Sequence, residues 1–312
     1  MRTPAERRRA RRRVALRKYA TVLAFLSPWI IGFALFTAWP MLLSLYYSFT
    51  HYDLLTAPSW VGLDNYRFMF GIGTIHGQHE SDPYFWRAVR NTLWIILVSV
   101  PLRIVVAMLT AMLLTRPKRG VNVYRTLFFM PSLAPTVGAA LVFVYLLNPT
   151  TGPVNRVLST IPGLNAPLWF YDPTWAKPAL IVLGLWGIGD AIVIYLAGLL
   201  DVPRDLYEAI SIEGANAWQR FRHVTLPMIS PTLFFVLVLN FIGAFQIFEP
   251  MYIMTDGGPR NSTRSLVQHI FETGFRSFEM GYASAMAIVV FVVIMAATLV
   301  QFAFGRYWVH YD

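Results

Sequence analysis

Long apolar stretches alternate with short polar segments along most of the chain. A helix needs roughly 20 residues to cross the hydrocarbon core of a bilayer, and each apolar stretch reaches this length. A β-barrel would instead show short segments of alternating polarity. The pattern therefore predicts an all-α protein, a polytopic membrane helical bundle with six transmembrane helices at residues 19–49, 91–115, 126–148, 178–200, 225–248 and 280–305.

Composition agrees with a membrane protein. Only 13% of the 312 residues are charged and 56% are hydrophobic, whereas soluble domains carry about 25% charged residues. Mean hydropathy is +0.51. The chain has no cysteine, which excludes disulfides, zinc–thiolate sites and iron–sulfur clusters.

The first 18 residues form a basic arm with nine arginines or lysines, and the net charge of the chain is +10. Because this arm directly precedes a predicted span, we assign it to the cytoplasmic side and to anionic lipid, not to nucleic acid. The apolar run after it exceeds the roughly 7–15 residues of a signal peptide. The predicted organisation is a cytoplasmic arm at 1–18 and a transmembrane domain at 19–312.

The predicted orientation rests largely on this arm. With the N-terminus in the cytoplasm, the inner side carries 17 lysines and arginines and the outer side eight. Without the arm both sides carry eight. The outer segments are rich in glycine, proline and asparagine, which predicts turns and short helices there.

A polar insert at 201–227 separates the fourth and fifth predicted spans and holds seven charged residues. Pro203 suits the first turn of a helix, and Asp205 followed by Glu208 resembles a capping box. These residues predict a short helix that begins near Pro203. Its apolar positions recur at helical spacing, which gives it one apolar face.

The same insert contains a second helix signal. Gly214 is a typical helix stop, and Asn216 can cap a following helix that ends before Pro227. The predicted product is a helix–glycine–helix hairpin. By pattern alone it could lie on the lipid surface or form a contact surface for another protein.

Polar residues inside the predicted spans are the first candidates for a transport pathway, because they are costly in lipid. They are Asp190, Asn240, Gln246 and Glu249, while Arg103 either joins them or snorkels toward an interface. Asn240, Gly243, Ala244 and Ile247 share one helix face. That face predicts either a cavity or a tight helix contact.

Several segments resemble one protein family. LYEAISIEGANAWQRFRHVTLPMISP closely resembles the Glu-Ala-Ala…Gly…Leu-Pro signature of permease subunits of ABC importers, with Ile210 in place of the second alanine. FWRAVRNTLW and FFMPSLAPTVGAALVFVYLLNPTTGPVN resemble further parts of that family. FQIFEPMYIMTDGGPRNST resembles a pattern of its binding-protein-dependent carbohydrate uptake subgroup, which takes up maltose and oligosaccharides.

The resemblance implies roles for particular residues. In the family the hairpin is a coupling helix that docks on a cytosolic ATPase, and here it implies Glu208, Ala209, Ile210, Gly214, Ala215, Leu226 and Pro227. Segments of the fourth and fifth spans that align with the sugar site imply Trp186, Gly187, Asp190, Ala191, Asn240, Gly243, Ala244, Gln246 and Ile247 as substrate-binding residues. Trp186 would offer a ring face to a pyranose.

The resemblance also implies partners. No lysine of the chain stands in a G-x-x-x-x-G-K-[ST] context, so ATP and Mg²⁺ are expected in a partner ATPase and no cofactor or metal is expected in this chain. We expect a non-enzymatic subunit in the bacterial or archaeal cytoplasmic membrane. Its implied partners are membrane lipid, a homologous second permease, two ATPase subunits and an extracytoplasmic solute-binding protein.

Three alternatives remain open at this point. An importer of glycerol-3-phosphate or a phosphodiester would need a cationic site, for which Arg103 is the candidate. An ion-coupled secondary transporter could use Asp190 or Glu249, but the sequence shows neither inverted repeats nor discontinuous helices. A membrane enzyme is the third alternative, but the sequence has no H-E-x-x-H or G-x-S-x-G motif. His76 and His79 alone make a poor metal site.

Overall fold

The computed structural model describes residues 4–72, 81–116, 119–163 and 165–310, with side chains from residue 18 onward. The side chains of most of the basic arm, and His76 and His79, lie outside the described residues. The helices are α1 (Pro4–Phe33), α2 (Trp39–Tyr47), α3 (Asp64–Phe70), α4 (Phe85–Leu114), α5 (Val121–Phe129), α6 (Thr136–Leu146), α7 (Pro153–Leu158), α8 (Pro173–Trp186), α9 (Gly189–Asp201), α10 (Arg204–Ile212), α11 (Ala217–Arg220), α12 (Leu226–Met228), α13 (Ser230–Phe245), α14 (Glu249–Met254), α15 (Leu266–Phe271) and α16 (Met280–Gly305).

Short irregular helical turns join some of these elements. A 3₁₀ turn at Met130–Leu133 follows α5, and π-helical turns lie at Ala34–Ala38, Phe221–Thr225 and Glu272–Arg276. The strands β1 (Thr50–His51) and β2 (Ser59–Trp60) pair antiparallel, with Thr50 opposite Trp60. The fold is thus mostly helical, as the apolar pattern predicts.

Three helical segments are long and apolar enough to cross a membrane unbroken: Lys18–Tyr47, α4 and α16. Three bent pairs reach that length together, which gives up to six candidate spans in the described chain. The bends are 98° between Val121–Leu133 and α6, 48° between α8 and α9, and 70° between Ala217–Met228 and α13.

The expectation of continuous spans is therefore wrong at these three places. Ala134 is extended because Pro135 follows it and disfavours the helical conformation. The α8–α9 break falls at Gly187 and Ile188. The third falls at Ile229, two residues before Pro231, which lacks the N–H that a continuing helix needs. Discontinuous helices thus no longer separate this chain from ion-coupled transporters.

α4 is the central helix of the bundle, and it packs against α9 and α13. Their contact buries an apolar cluster that includes Ala107, Tyr195 and Val236. A second cluster joins α4, α6, α8 and α14, and a third joins α3, α4, α15 and α16. The apolar window of Lys18–Tyr47 buries no residue within the chain, so this segment lies at the periphery.

The polar insert folds as a helix–glycine–helix hairpin. Gly214, with φ +79°, ends α10, and Asn216 caps α11 in a capping box with Gln219. The capping box expected at Asp205 and Glu208 is wrong, since Pro203 precedes α10 and no side chain caps it. The second helix also continues past the expected end, because the helical turns run on to Met228.

Candidate functional site

A cavity of about 500 Å³ lies between α4, α6, α8, α9 and α13, a size typical of small-molecule sites. Eight of the nine residues expected at a substrate site line it, four from the α8–α9 break and four from α13 and its end: Trp186, Gly187, Asp190, Ala191, Asn240, Gly243, Ala244 and Ile247. Gln246, the ninth of these residues, does not line the cavity, and neither does Glu249. The helix face seen in the sequence thus borders open space, not a tight contact.

Missing side chains keep the cavity open. A Cβ added at Gly187 or Gly243 would meet no atom within 4 Å. The broken α8–α9 pair matters as well, because the 48° bend begins at Gly187 and turns the first residues of α9 into the cavity. The room available to a ligand therefore depends on these two glycines and on the break.

The cavity combines one exposed aromatic ring with a few polar groups. The Trp186 side chain is 42% exposed, and its ring centroid lies 5.7 Å from that of Phe143. Asn240 donates from Nδ2 to the Val236 carbonyl oxygen at 2.9 Å within its own helix, so it makes no interhelical hydrogen bond through that contact. An aromatic face beside hydrogen-bonding groups is suited to a small polar ligand with an apolar surface.

Two opposite charges face each other in this cavity. Arg103, from the middle of α4, and Asp190, from the first turn of α9, both line it. The sequence leaves open whether Arg103 snorkels to an interface. It does not, because its Nη1 lies 3.9 Å from a Cβ built at Gly184, inside the bundle. Nothing in the sequence indicates that α4 brings Arg103 to the same cavity as Asp190.

A second polar cluster lies where α4, α15 and α16 begin, and sequence reasoning missed it. The His269 Nε2 lies 2.6 Å from Asp82 Oδ2, and the Tyr282 hydroxyl donates to the same oxygen at 2.7 Å. Backbone N–H groups of Tyr84 and Phe85 donate to Oδ1. His269 and Tyr282 are 187 and 200 residues from Asp82 along the chain, so no local sequence pattern could reveal the cluster.

The T-x-G-G-P segment has a structural role next to this cluster. The Thr255 and Thr263 hydroxyls lie 2.7 Å apart, and Thr263 also donates to the Gly258 carbonyl oxygen. Asn91 of α4 donates to the carbonyl oxygens of Asn261 and Arg264 at 2.8 and 3.1 Å. Two segments on which the family resemblance rests, RNTLW and TDGGPRNST, are therefore in direct contact.

Asp82 is held ionised by its neighbours. Burial by itself would raise the pKa of Asp82, but the hydrogen bond and charge of His269, with the hydrogen bonds from Tyr282 and Tyr84, lower it to about 2. The usual value is about 3.9. Because the folded pKa is the lower one, this carboxylate stabilises the fold above about pH 4, and the contribution is lost as the pH falls toward 2.

The Asp82→Asn substitution is expected to lower the free energy of unfolding by roughly 2–4 kcal/mol at pH 7, because it removes one partner of a buried, charged hydrogen-bond cluster. Thermal unfolding of the purified chain in detergent, followed by tryptophan fluorescence, measures this. Asp64→Asn is the matched control. Asp64 pairs with Arg67 at 3.3 Å on the surface, where a pair contributes about 0–1 kcal/mol. Equal effects of the two substitutions would contradict the role given to Asp82.

The hairpin exposes one side and buries the other. Glu208, Ala209 and Gly214 are exposed, whereas Ile210 and Ala215 are half-buried. The Tyr207 hydroxyl lies 3.0 Å from the Thr225 hydroxyl and ties α10 to the chain that leads into α12. Leu226 and Pro227 are half-buried at the base of the hairpin. The residues implied by the resemblance thus divide into an exposed surface and the contacts that hold it.

Comparison with known proteins matches residues 103–308 to the family described as "Binding-protein-dependent transport system inner membrane component". The chain belongs to this family. The match begins at Arg103 of the cavity and includes the hairpin and the T-x-G-G-P segment. This membership, rather than helix continuity, separates the chain from ion-coupled transporters and from membrane enzymes.

Individual relatives agree with the family. The chain is 41% identical to "Probable ABC transporter permease protein YesP" of Bacillus subtilis over 93% of this chain and 91% of that protein. It is 34% identical to "Lactose transport system permease protein LacF" of Rhizobium radiobacter, over 72% and 78%. A crystal structure of a bacterial ABC transporter that imports the acidic polysaccharide alginate contains a chain with TM-score 0.81 and 25% identity, over 95% of this chain and 99% of that one.

Proposed function

We propose that this chain is the permease subunit of an ABC importer that moves a di- or oligosaccharide across the cytoplasmic membrane by alternating access. The observation that carries the proposal is the family match from Arg103 to Trp308, which contains the lined cavity and the exposed hairpin. The relatives support the class of substrate, because one is a lactose permease and another belongs to an alginate importer. The glycerol-3-phosphate alternative gains no support from these relatives.

The hairpin is the proposed contact with an ATPase. Glu208, Ala209 and Gly214 supply its exposed surface, and the half-buried residues carry a movement of that surface into α12 and α13. Since the chain has no phosphate-binding loop, ATP and Mg²⁺ would be held by two partner ATPase subunits. Closure of those subunits would then rock the spans as rigid bodies.

The remaining partners follow from the same proposal. The family is binding-protein-dependent by its description, so an extracytoplasmic solute-binding protein would deliver the sugar. The open side of the cavity leaves room for a homologous second permease. The N-terminus and the hairpin would lie in the cytoplasm, and the Asp82 cluster at the opposite, outer end of the six spans.

Uptake by the complete complex tests this proposal. Vesicles that contain the chain with its partner subunits should accumulate labelled di- or oligosaccharide only when ATP and the solute-binding protein are both present. A catalytically inactive ATPase subunit in the same complex is the control, and it should abolish accumulation. Uptake that persists without ATP and collapses with the proton gradient would refute the proposal.

A further inference from the structure

Arg103 lines the cavity and has an unused hydrogen-bond donor. Its Nε is buried without an acceptor, and within the described chain the guanidinium makes no ion pair within 4.0 Å. Arginine has five N–H donors and keeps its charge in proteins. A charged group in the middle of a span is costly and marks function. Arg103 is therefore a fixed positive charge with a donor that has no acceptor among the described residues.

Asp190 attracts the Arg103 charge but forms no ion pair with it. Its carboxylate is the acidic group that acts on Arg103 electrostatically, yet the two do not come within ion-pair distance. Asp190 is exposed to the cavity. The guanidinium and the carboxylate are thus more than 4.0 Å apart, and both border the open cavity from which a ligand would approach.

Two other polar groups of the wall donate their hydrogen bonds within their own segments, and among the described residues neither is hydrogen-bonded to Arg103. Ser132 donates its hydroxyl proton to the Phe129 carbonyl oxygen at 2.8 Å, and Asn240 donates to the Val236 carbonyl oxygen. Ser99 lies one helical turn before Arg103 on the same face of α4. Arg103 is the basic residue among the residues that line the cavity.

We propose that Arg103 binds the carboxylate of a uronic-acid oligosaccharide and makes this importer selective for acidic sugars, an inference that rests on the proposed function. The planar guanidinium matches a carboxylate with two parallel hydrogen bonds, which gives orientation as well as affinity. A neutral sugar offers only hydroxyls, so it leaves the guanidinium without a charged partner at hydrogen-bond distance when the cavity closes, which is costly. Trp186 would pack against a ring of the same sugar.

Asp190 then acts as a competitor of the bound acid. Its negative charge weakens the hold of Arg103 on the substrate carboxylate. A transport site must bind strongly enough to load and weakly enough to release. The two residues therefore have opposite effects on affinity, and a purely structural ion pair would not show this.

The test is uptake by the complete complex of a labelled oligouronate of two to five residues and of the same oligosaccharide after carboxyl reduction. Arg103→Gln should reduce uptake of the oligouronate at low concentration by about 10- to 100-fold, as expected for a lost charged hydrogen bond. Arg103→Lys should retain part of it. Asp190→Asn should lower the KM for the oligouronate. Carboxyl reduction should lower wild-type uptake, and the reduced sugar should respond to Arg103→Gln by less than about threefold.

The outcomes separate this inference from the function beneath it. Uptake of neutral oligosaccharides only would overturn the acid site. Equal losses of uptake of the acidic and the reduced sugar in both the Arg103→Gln and the Asp190→Asn variant would also overturn it. Either result would leave the proposed sugar permease function intact. Failure to take up any saccharide would refute the proposed function and the acid site together. Membrane levels of the complex and its basal ATP hydrolysis, compared between variants, show that each variant is assembled.

Discussion

Glu208→Ala is expected to lower ATP-driven sugar uptake by about tenfold or more while the complex still hydrolyses ATP. Glu208 is exposed on α10, and truncation of an interface hot spot costs about 2 kcal/mol or more, which is above the roughly 1.4 kcal/mol that corresponds to tenfold. Gly214→Pro should have a larger effect. The backbone at Gly214 has φ +79°, whereas proline requires about −65°. Uptake and ATP hydrolysis measured in the same vesicles give the coupling ratio.

Asp201→Ala is the matched control for this prediction. Asp201 is also acidic and exposed, but it is the last residue of α9 and comes before the hairpin helices α10 and α11. Its substitution should leave uptake within about twofold of the unmodified complex, since surface charges away from a contact contribute little. Equal loss in both variants would show a general electrostatic effect and contradict a specific contact at Glu208.

Gly243→Trp is expected to reduce uptake by at least about tenfold without preventing assembly. The glycine borders the cavity, and a Cβ built there meets no atom within 4 Å, so a side chain can begin at this position without displacing the backbone. The indole would then occupy space in a cavity of about 500 Å³ that the sugar needs. Initial uptake rates, with the amount of complex in the membrane as reference, measure the effect.

Gly32→Trp provides the comparison for the cavity. Gly32 also lies in a candidate membrane-spanning helix with no atom within 4 Å of a built Cβ, but it belongs to the peripheral α1 and not to the cavity wall. Its uptake should stay close to that of the unmodified complex. Unchanged uptake in Gly243→Trp would place the substrate path elsewhere.

Much of this architecture follows from local pattern. The last predicted span, 280–305, coincides with α16, and Gly214 and Asn216 end and begin the hairpin helices as their residue types predict. The face that carries Asn240 and Gly243 lines the cavity. These features depend on residues within two or three turns of one another, and sequence spacing describes such neighbours well.

The remaining features depend on contacts between distant segments. The Asp82 cluster joins residues 187 and 200 positions apart, and the cavity charges come from α4 and α9. The breaks at Pro135, Gly187 and Ile229 do show small local signals, a proline or a glycine. In a strongly apolar stretch, hydropathy outweighs these signals. Proline and glycine are tolerated inside membrane helices, so they do not predict a break by themselves.

Site-specific cross-linking tests the central claim, that the hairpin contacts a nucleotide-hydrolysing partner. The chain has no cysteine, so Ala209→Cys introduces a single thiol on the exposed side of α10, and Ser277→Cys introduces one at the opposite end of the bundle. In membranes that contain the complex, a short bifunctional maleimide should join the Ala209→Cys variant, but not the Ser277→Cys variant, to the ATPase subunit. No cross-link at Ala209→Cys, together with labelling of that thiol by a membrane-impermeant maleimide from outside intact cells, would contradict the account.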